Sequence, residues 1–248
     1  MRIAGWSRLA GLALIAGAAT LAFVNGGRAG AQDWRSASRE PVGLAPDPVL
    51  HPEPIVQVYG ARTWGWRGHF GIHTWIAVKP AAADAYTVYE VVGWKLRWSE
   101  SALAVTQRAP DARWYGKAPE LLAERRGHGA AELIPRIEKA VSEYPHARQY
   151  SAWPGPNSNT FTAWVARSVP ELEVDFPPTA IGKDYLADGL LHSAPSGSGF
   201  QLSLGGLLAL TASRVEGVEL NILGLTFGLN PFDPALKLPL VGRLGPAR

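Results

Sequence analysis

The feature that most constrains the fold is a change of hydrophobic period along the chain. Phe70 to Val78 and Tyr86 to Trp94 are β-rich runs separated only by Lys79-Pro80-Ala81-Ala82-Ala83-Asp84-Ala85. Two such runs with a loop of this length predict an antiparallel hairpin. Beyond it the period switches. From Ala130 to Tyr144, Leu133, Ile134, Ile137, Val141 and Tyr144 recur at three- and four-residue spacing, with Glu132, Arg136 and Lys139 off that face. This predicts an amphipathic helix with one buried stripe. Pro135 is tolerable in it only near the start, and Pro145 stops it. Pro119 to Glu124 begins another helical stretch, with Pro119 suited to a first turn. Thr160 to Ser168 reads as a helix opened by a polar cap, and Ile55 to Tyr59 as a short strand. Residues 99–118 carry no clear period. Strands and helices in separate blocks make the class α+β, an antiparallel sheet packed with helices.

The ends of the chain differ from this middle. Arg2 and Arg8 precede an uncharged, mostly apolar run from Leu9 to Val24, and Ala29-Gly30-Ala31 then gives a small-x-small pattern. Residues 1–31 read as an export signal, with an uncleaved membrane anchor as the alternative. The expected location is exported and periplasmic, or the inner membrane if the segment stays attached. Residues 32–54 carry Pro41, Pro46, Pro48, Pro52 and Pro54 and read as an extended linker. A core spans 55–195. Residues 196–248 are Gly- and Leu-rich with few charges, and are expected to add strands packed on that core. Val218 to Leu229 alternates as a strand or a bulged pair, with a shift of apolar parity near Leu223. Contact of residues 199–229 with a membrane surface or a partner is the other reading of this low-charge segment.

Composition narrows the chemistry. The chain has 24 Lys and Arg against 21 Asp and Glu. Arg2, Arg8 and Arg28 all fall in the leader, which holds no acid, so the body carries 21 basic against 21 acidic residues. A neutral body offers no electrostatic footprint for nucleic acid. With no cysteine there is no disulfide, thiol nucleophile or Cys-ligated metal. No P-loop, GxGxxG, GxSxG or HExxH pattern is present, and neither a cofactor nor a metal is expected.

Two places carry candidate chemistry. Ser158 lies in Asn157-Ser158-Asn159-Thr160-Phe161, where the loop Trp153-Pro154-Gly155-Pro156 enters a helix. A nucleophile there would gain from the helix dipole and free backbone N–H groups; the same residues are also ordinary helix caps. His73 sits inside the first hairpin strand. If the register pairs it with Glu90, a carboxylate beside an imidazole forms the base and orienter of a triad. A His held by a local hydrogen bond is the plainer reading. Trp64, Trp66, Trp75, Trp94 and Trp98 could line a groove or fill the core. Asp111, Arg113, Trp114 and Tyr115 could meet a ligand or form a solvated loop.

The order of these residues carries a resemblance. A strand with His73-Thr74-Trp75-Ile76-Ala77-Val78, a polar residue on the next strand, then helices and Asn-x-x-x-Phe at a helix start, resembles the circularly permuted papain-like superfamily. That group includes the lecithin–retinol acyltransferase relatives and permuted NlpC-type peptidases. The likeness covers roughly residues 55–168. It implies His73 as base, Glu90 as a loose match to the third polar residue, and Ser158 where the group keeps cysteine. His73-Thr74-Trp75, the stretch Trp153 to Phe161 and Ala180-Ile181-Gly182-Lys183-Asp184-Tyr185 also look like a bacterial family of unknown function. Two functions follow as expectations of equal weight. One is an exported Ser/His hydrolase or acyltransferase on an envelope amide or ester, with Ser158, His73 and Glu90 catalytic. The other is a catalytically silent papain-like module that binds an envelope peptide, glycan or lipid. Asn157, Asn159, Trp75 and Trp153 are the expected ligand contacts in either case.

Overall fold

The computed structural model describes residues 33–246; the leader reading of residues 1–31 lies outside the described residues. Two α-helices and two antiparallel sheets make up the described fold, which is α+β. The first sheet holds β1 (Ile55–Arg62), β2 (Ile72–Lys79), β3 (Thr87–Val91), β4 (Leu103–Gln107) and β5 (Glu120–Arg126) in the order β4-β3-β2-β1-β5. The expected hairpin is β2–β3, in the register Ile76↔Tyr89 to Val78↔Thr87. The helical stretch expected from Pro119 is instead strand β5. Its residues bond along β1 from Ile55↔Arg126 to Gly60↔Glu120, which satisfies an otherwise bare strand edge. A segment that short carries too few residues for its period to separate helix from strand.

Helix α1 (His128–Ser142) buries Ala130, Leu133, Ile134, Ile137, Ala140 and Val141, the face its spacing predicts. It starts earlier than expected, so Pro135 lies well inside it. Pro135 and Ala131 both face solvent, where water can serve the carbonyl that the missing N–H leaves unpaired. Helix α2 (Ser158–Ser168) packs beside α1 on the same face of the sheet. Val56, Val58, Ile76, Ile137 and Phe161 meet between them in the main core.

The opposite face of this sheet is also covered. Ile55, Tyr59, Trp75, Ala77 and Val88 form a second core under Trp114. Residues 33–54, expected as a linker, hold no helix or strand beyond one bridge, Pro41↔Ala112, but they are bound to the body. Asp111 Oδ2 accepts the Leu44 N–H at 2.7 Å and the Ala45 N–H at 3.3 Å. Tyr86 Oη donates to the Pro46 carbonyl at 3.0 Å. The segment is a strap, and Asp111 is one of its clasps.

The second sheet is a meander of seven strands, each bonded to its neighbours in sequence: β6 (Leu191–Ser193), β7 (Gly199–Leu204), β8 (Leu208–Ser213), β9 (Gly217–Ile222), β10 (Leu225–Asn230), β11 (Ala235–Leu238) and β12 (Gly242–Leu244). The parity shift near Leu223 is a hairpin turn. Leu223 (φ 54°) and Gly224 (φ 88°) form a two-residue loop between the paired Ile222 and Leu225, the left-handed backbone such hairpins need.

The strands expected beyond residue 196 are present and bonded to the body, but apolar side chains do not make that contact. The alternation is present, but its sense is reversed. Gln201, Thr211, Glu219, Asn221 and Lys237 point to the body and are buried, while Leu202, Leu210, Leu220, Phe227 and Leu236 face out. The physical reason lies on the body side, where charges replace an apolar floor. Lys183 Nζ donates to Asp184 at 2.9 Å and to Glu219 at 2.6 Å. Lys237 Nζ donates to Glu219 at 2.7 Å and also pairs with Asp175. Asn221 and Gln201 both donate to the Asp184 carboxylate, at 2.7 Å and 2.6 Å. Burial alone would raise the Glu219 carboxyl, but the two lysines hold it below its ordinary value. Burial would likewise depress Lys183, and Asp184 and Glu219 more than reverse this. A polar strand face is the only kind that can meet such a network without leaving charges unpaired.

Candidate functional site

His73 and Glu90 do meet. His73 Nε2 donates to Glu90 Oε2 at 2.8 Å, and both side chains are buried. The β2–β3 register places His73 two residues along from a position directly opposite Glu90. A displacement of two keeps both on one face. Arg108 Nη2 donates to the other Glu90 oxygen at 3.2 Å. Burial by itself would raise the Glu90 carboxyl, but His73 and Arg108 bring it below its ordinary value. Trp114, from the segment read as either a ligand contact or a solvated loop, lies flat on the imidazole with centroids 3.6 Å apart. Trp75 completes the layer, with its indole N–H donating to the Pro110 carbonyl at 2.7 Å.

Ser158 belongs to a different layer. Asn157 is the N-cap of α2, and its Oδ1 accepts from the Asn159 N–H at 2.9 Å and the Thr160 N–H at 3.2 Å. Thr160 Oγ1 accepts the Asn157 N–H at 3.1 Å, which closes a capping box. Gly182 passes so close that a Cβ there would lie 2.4 Å from the Asn157 amide. Asn159 Nδ2 donates to the carbonyls of Ile72 at 3.0 Å and Ile181 at 2.7 Å. The strand residue that faces this helix is Thr74: its Oγ1 donates to Asn159 Oδ1 at 3.0 Å and lies 2.9 Å from the Thr162 hydroxyl.

Successive strand residues point to opposite faces, so Thr74 towards α2 puts His73 on the far side. The expected triad is therefore not assembled. Glu90 and His73 form a pair under Trp114, and the sheet stands between them and Ser158. The ligand-contact expectations change as well. Trp75 is fully buried against Tyr59 and Trp114. Asn157 and Asn159 spend their side chains on the helix cap and on buried carbonyls. Trp153 alone of the four is exposed, and its indole N–H donates to the Leu223 carbonyl at 2.9 Å.

That bond leads to the feature local reading missed. The outer face of the second sheet is built of Leu, Ile, Val and Phe and carries no charged side chain from β7 to β11. Seven strands at about 4.8 Å spacing and averaging about 16 Å long give a face of about 540 Å². The largest apolar patch on an ordinary monomer is about 300–600 Å². The hairpin tips then extend the patch at one end only. Leu207, Leu223, Leu240 and Val241 occupy the β7–β8, β9–β10 and β11–β12 turns and are all exposed. Neighbouring tips touch, with the Leu223 N–H donating to the Leu207 carbonyl at 2.6 Å. The turns at the other end carry charged and hydroxyl groups beside Val215 and exposed Phe232. They hold Ser196 bonded to Glu216, exposed Arg214, and Asp233 paired with Arg243 at 2.8 Å. Leu223 (φ 54°) and Leu240 (φ 67°) take a left-handed backbone that costs an L-residue about 1–2 kcal/mol and that Gly or Asn would occupy more cheaply. Among the described residues no helix is long and apolar enough to cross a membrane.

No curated protein and no solved structure matches the chain. A family model matches residues 53–185, which takes in the first sheet, both helices and the Gly182 loop, and stops before the second sheet. On that match over more than half its length, the chain belongs to the family described as Protein of unknown function (DUF3750).

Proposed function

We propose that the protein is a non-catalytic envelope module that docks on a lipid bilayer through its C-terminal sheet, tips first. The observation that carries this is the polarity of the meander: apolar face outward, apolar turns at one end, charged turns at the other. A protein partner would offer hydrogen bonds at a rim, whereas a face with no polar side chain from β7 to β11 matches hydrocarbon. Sheet-on-sheet pairing of two copies would use the flat face and give no reason for leucine at strained tips. Trp153, held against the Leu223 tip, is of the type that favours the membrane–water interface. The apolar run Leu9 to Val24, as export leader or anchor, would deliver the body to the membrane's outer side.

The permuted papain-like scaffold remains our reading of the core, supported by its chain order of His strand, polar strand and Asn-Ser helix. On that scaffold we assign Ser158 to the first turn of α2 behind its Asn157 cap and the His73–Glu90 pair to holding Trp114, because base and nucleophile lie on opposite faces of β2. The absence of cysteine makes the docking test direct, since a single introduced thiol carries the only label. A polarity-sensitive fluorophore on Leu223→Cys of the full-length chain should shift to the blue and escape an aqueous quencher when vesicles are present. The same label on Arg214→Cys should stay wet. A Leu223 label that remains quenchable on vesicles would overturn the reading.

A further inference from the structure

A cavity of about 200 Å³ lies between α2 and the approach to the second sheet, lined by Tyr144, His146, Trp164, Arg167 and Tyr185 among others. It shares no lining residue with the His73 layer or with the leucine and valine tips. Among the described residues only three buried side-chain polar atoms lack a hydrogen-bond partner, and two of them, Tyr144 Oη and His146 Nε2, line this one cavity. Leaving one such atom unpaired costs about 1–3 kcal/mol, so two in one place is an expensive arrangement for an empty site. Neither can swing away to find a partner. The Tyr144 ring is 5 % exposed and packs edge-on against Phe161 at 5.1 Å. The His146 ring is held edge-on by Tyr144 at 5.8 Å and by Tyr185 at 5.6 Å.

The third element is a cation without a direct counter-charge. Arg167 donates to the carbonyls of Lys183 at 2.9 Å and Ser193 at 3.3 Å, and to the Gln201 side chain. All three acceptors are neutral, and its Nη1 takes part in none of these bonds. Burial pushes the guanidinium down to about 10, with Asp184 and Glu216 opposing this only from a distance. Both of those carboxylates are already engaged, Asp184 by Lys183 and Glu216 by Ser196. No Asp or Glu lines the cavity. Asp188, next to the lining residue Ala187, is exposed and paired with His192 at 3.1 Å.

We infer that this cavity binds a small oxyanion, with the Tyr144 O–H and His146 Nε2–H donating to its oxygens and Arg167 supplying the charge. The volume is the share of about six or seven waters at about 30 Å³ each, which is ample for a phosphate or a short carboxylate. Such a group could arrive free or as a lipid headgroup. Two arms separate these sources, both using the full-length chain and both reading the His146 ring nitrogens by NMR. One arm titrates inorganic phosphate, then lactate, against chloride at equal ionic strength. The other adds phosphatidylcholine vesicles with and without phosphatidic acid.

A saturable shift of His146 in the first arm identifies a free oxyanion, and in the second arm alone a headgroup. Tyr144→Phe should weaken either response about tenfold, the value of one hydrogen bond of about 1.4 kcal/mol. The melting temperature of this variant should hold or rise, because the lost hydroxyl has no protein partner. His146→Gln, which removes that reporter and is followed instead by the Arg167 side-chain N–H resonances, should weaken binding independently. No shift in either arm, or unchanged affinity in both variants, would mean that the cavity holds only water and would overturn the inference.

Discussion

Replacing Leu223 and Leu240 together by Asn separates a docking role from a folding role, because the two effects have opposite signs. Both leucines sit at hairpin positions with positive φ, 54° and 67°. Their exposures are 59 % and 48 %, so roughly half of each side chain remains for a bilayer to cover. Full burial of a leucine is worth about 1.5–3 kcal/mol, so each tip should supply about 1 kcal/mol on insertion. Losing both removes about 2 kcal/mol, which is about a thirtyfold fall in vesicle affinity. The fold should respond the other way. Asn tolerates the left-handed region that costs leucine about 1–2 kcal/mol, so the melting temperature should hold or rise. Vesicle co-sedimentation of residues 32–248, the form an export leader would leave, measures the first quantity, and thermal unfolding without lipid measures the second. Unchanged vesicle affinity would refute the docking argument. A marked drop in melting temperature would show that the tips serve the fold instead.

Two further outcomes test the buried charges. Glu219→Gln removes the carboxylate that bridges Lys183 and Lys237 and leaves each buried lysine only its aspartate, so chemical denaturation should register a loss of about 3–5 kcal/mol; a loss under about 1 kcal/mol would mean that the network is not what seats the sheet. Glu90 is held below its ordinary value of 4.5, so its contribution is complete above that pH and is lost as pH falls through the lower, folded value. The stability gap between the wild type and Glu90→Gln should therefore be constant at neutral pH and close on acidification below 4.5, and a gap that widens there would reverse the assignment.

What the sequence disclosed, and what it withheld, follows from the range of each signal. Parity along β2 and β3 was enough to put His73 and Glu90 on one side, because a register error of two leaves the face unchanged. Parity could not say which side α2 would cover. All eight residues of β2 are buried, so alternation labels two faces without distinguishing them. The choice between Thr74 and His73 as the residue facing the helix is made by tertiary packing. The spacing of Leu133, Ile134 and Ile137 located α1 because a long amphipathic stripe outweighs one misplaced proline. Pro119 to Glu124 was too short for any such averaging. The C-terminal sheet shows the same limit in another form. Its alternation was legible, but the rule that apolar residues face inward gave the wrong sense, since the floor built by Asp175, Lys183 and Asp184 accepts only polar partners.

The meander's order also bears on when its surface appears during synthesis. Each of its strands pairs with the next in sequence, so the sheet forms from short-range hairpins and need not wait for distant segments. Its greasy side is uncovered from the moment those hairpins close, while the charged side is drawn onto a body already made. Whether a newly made molecule stays single is then a race between capture by lipid and sticking to its neighbours. The concentration of free chains and the nearness of membrane decide that race, more than the depth of the native energy well.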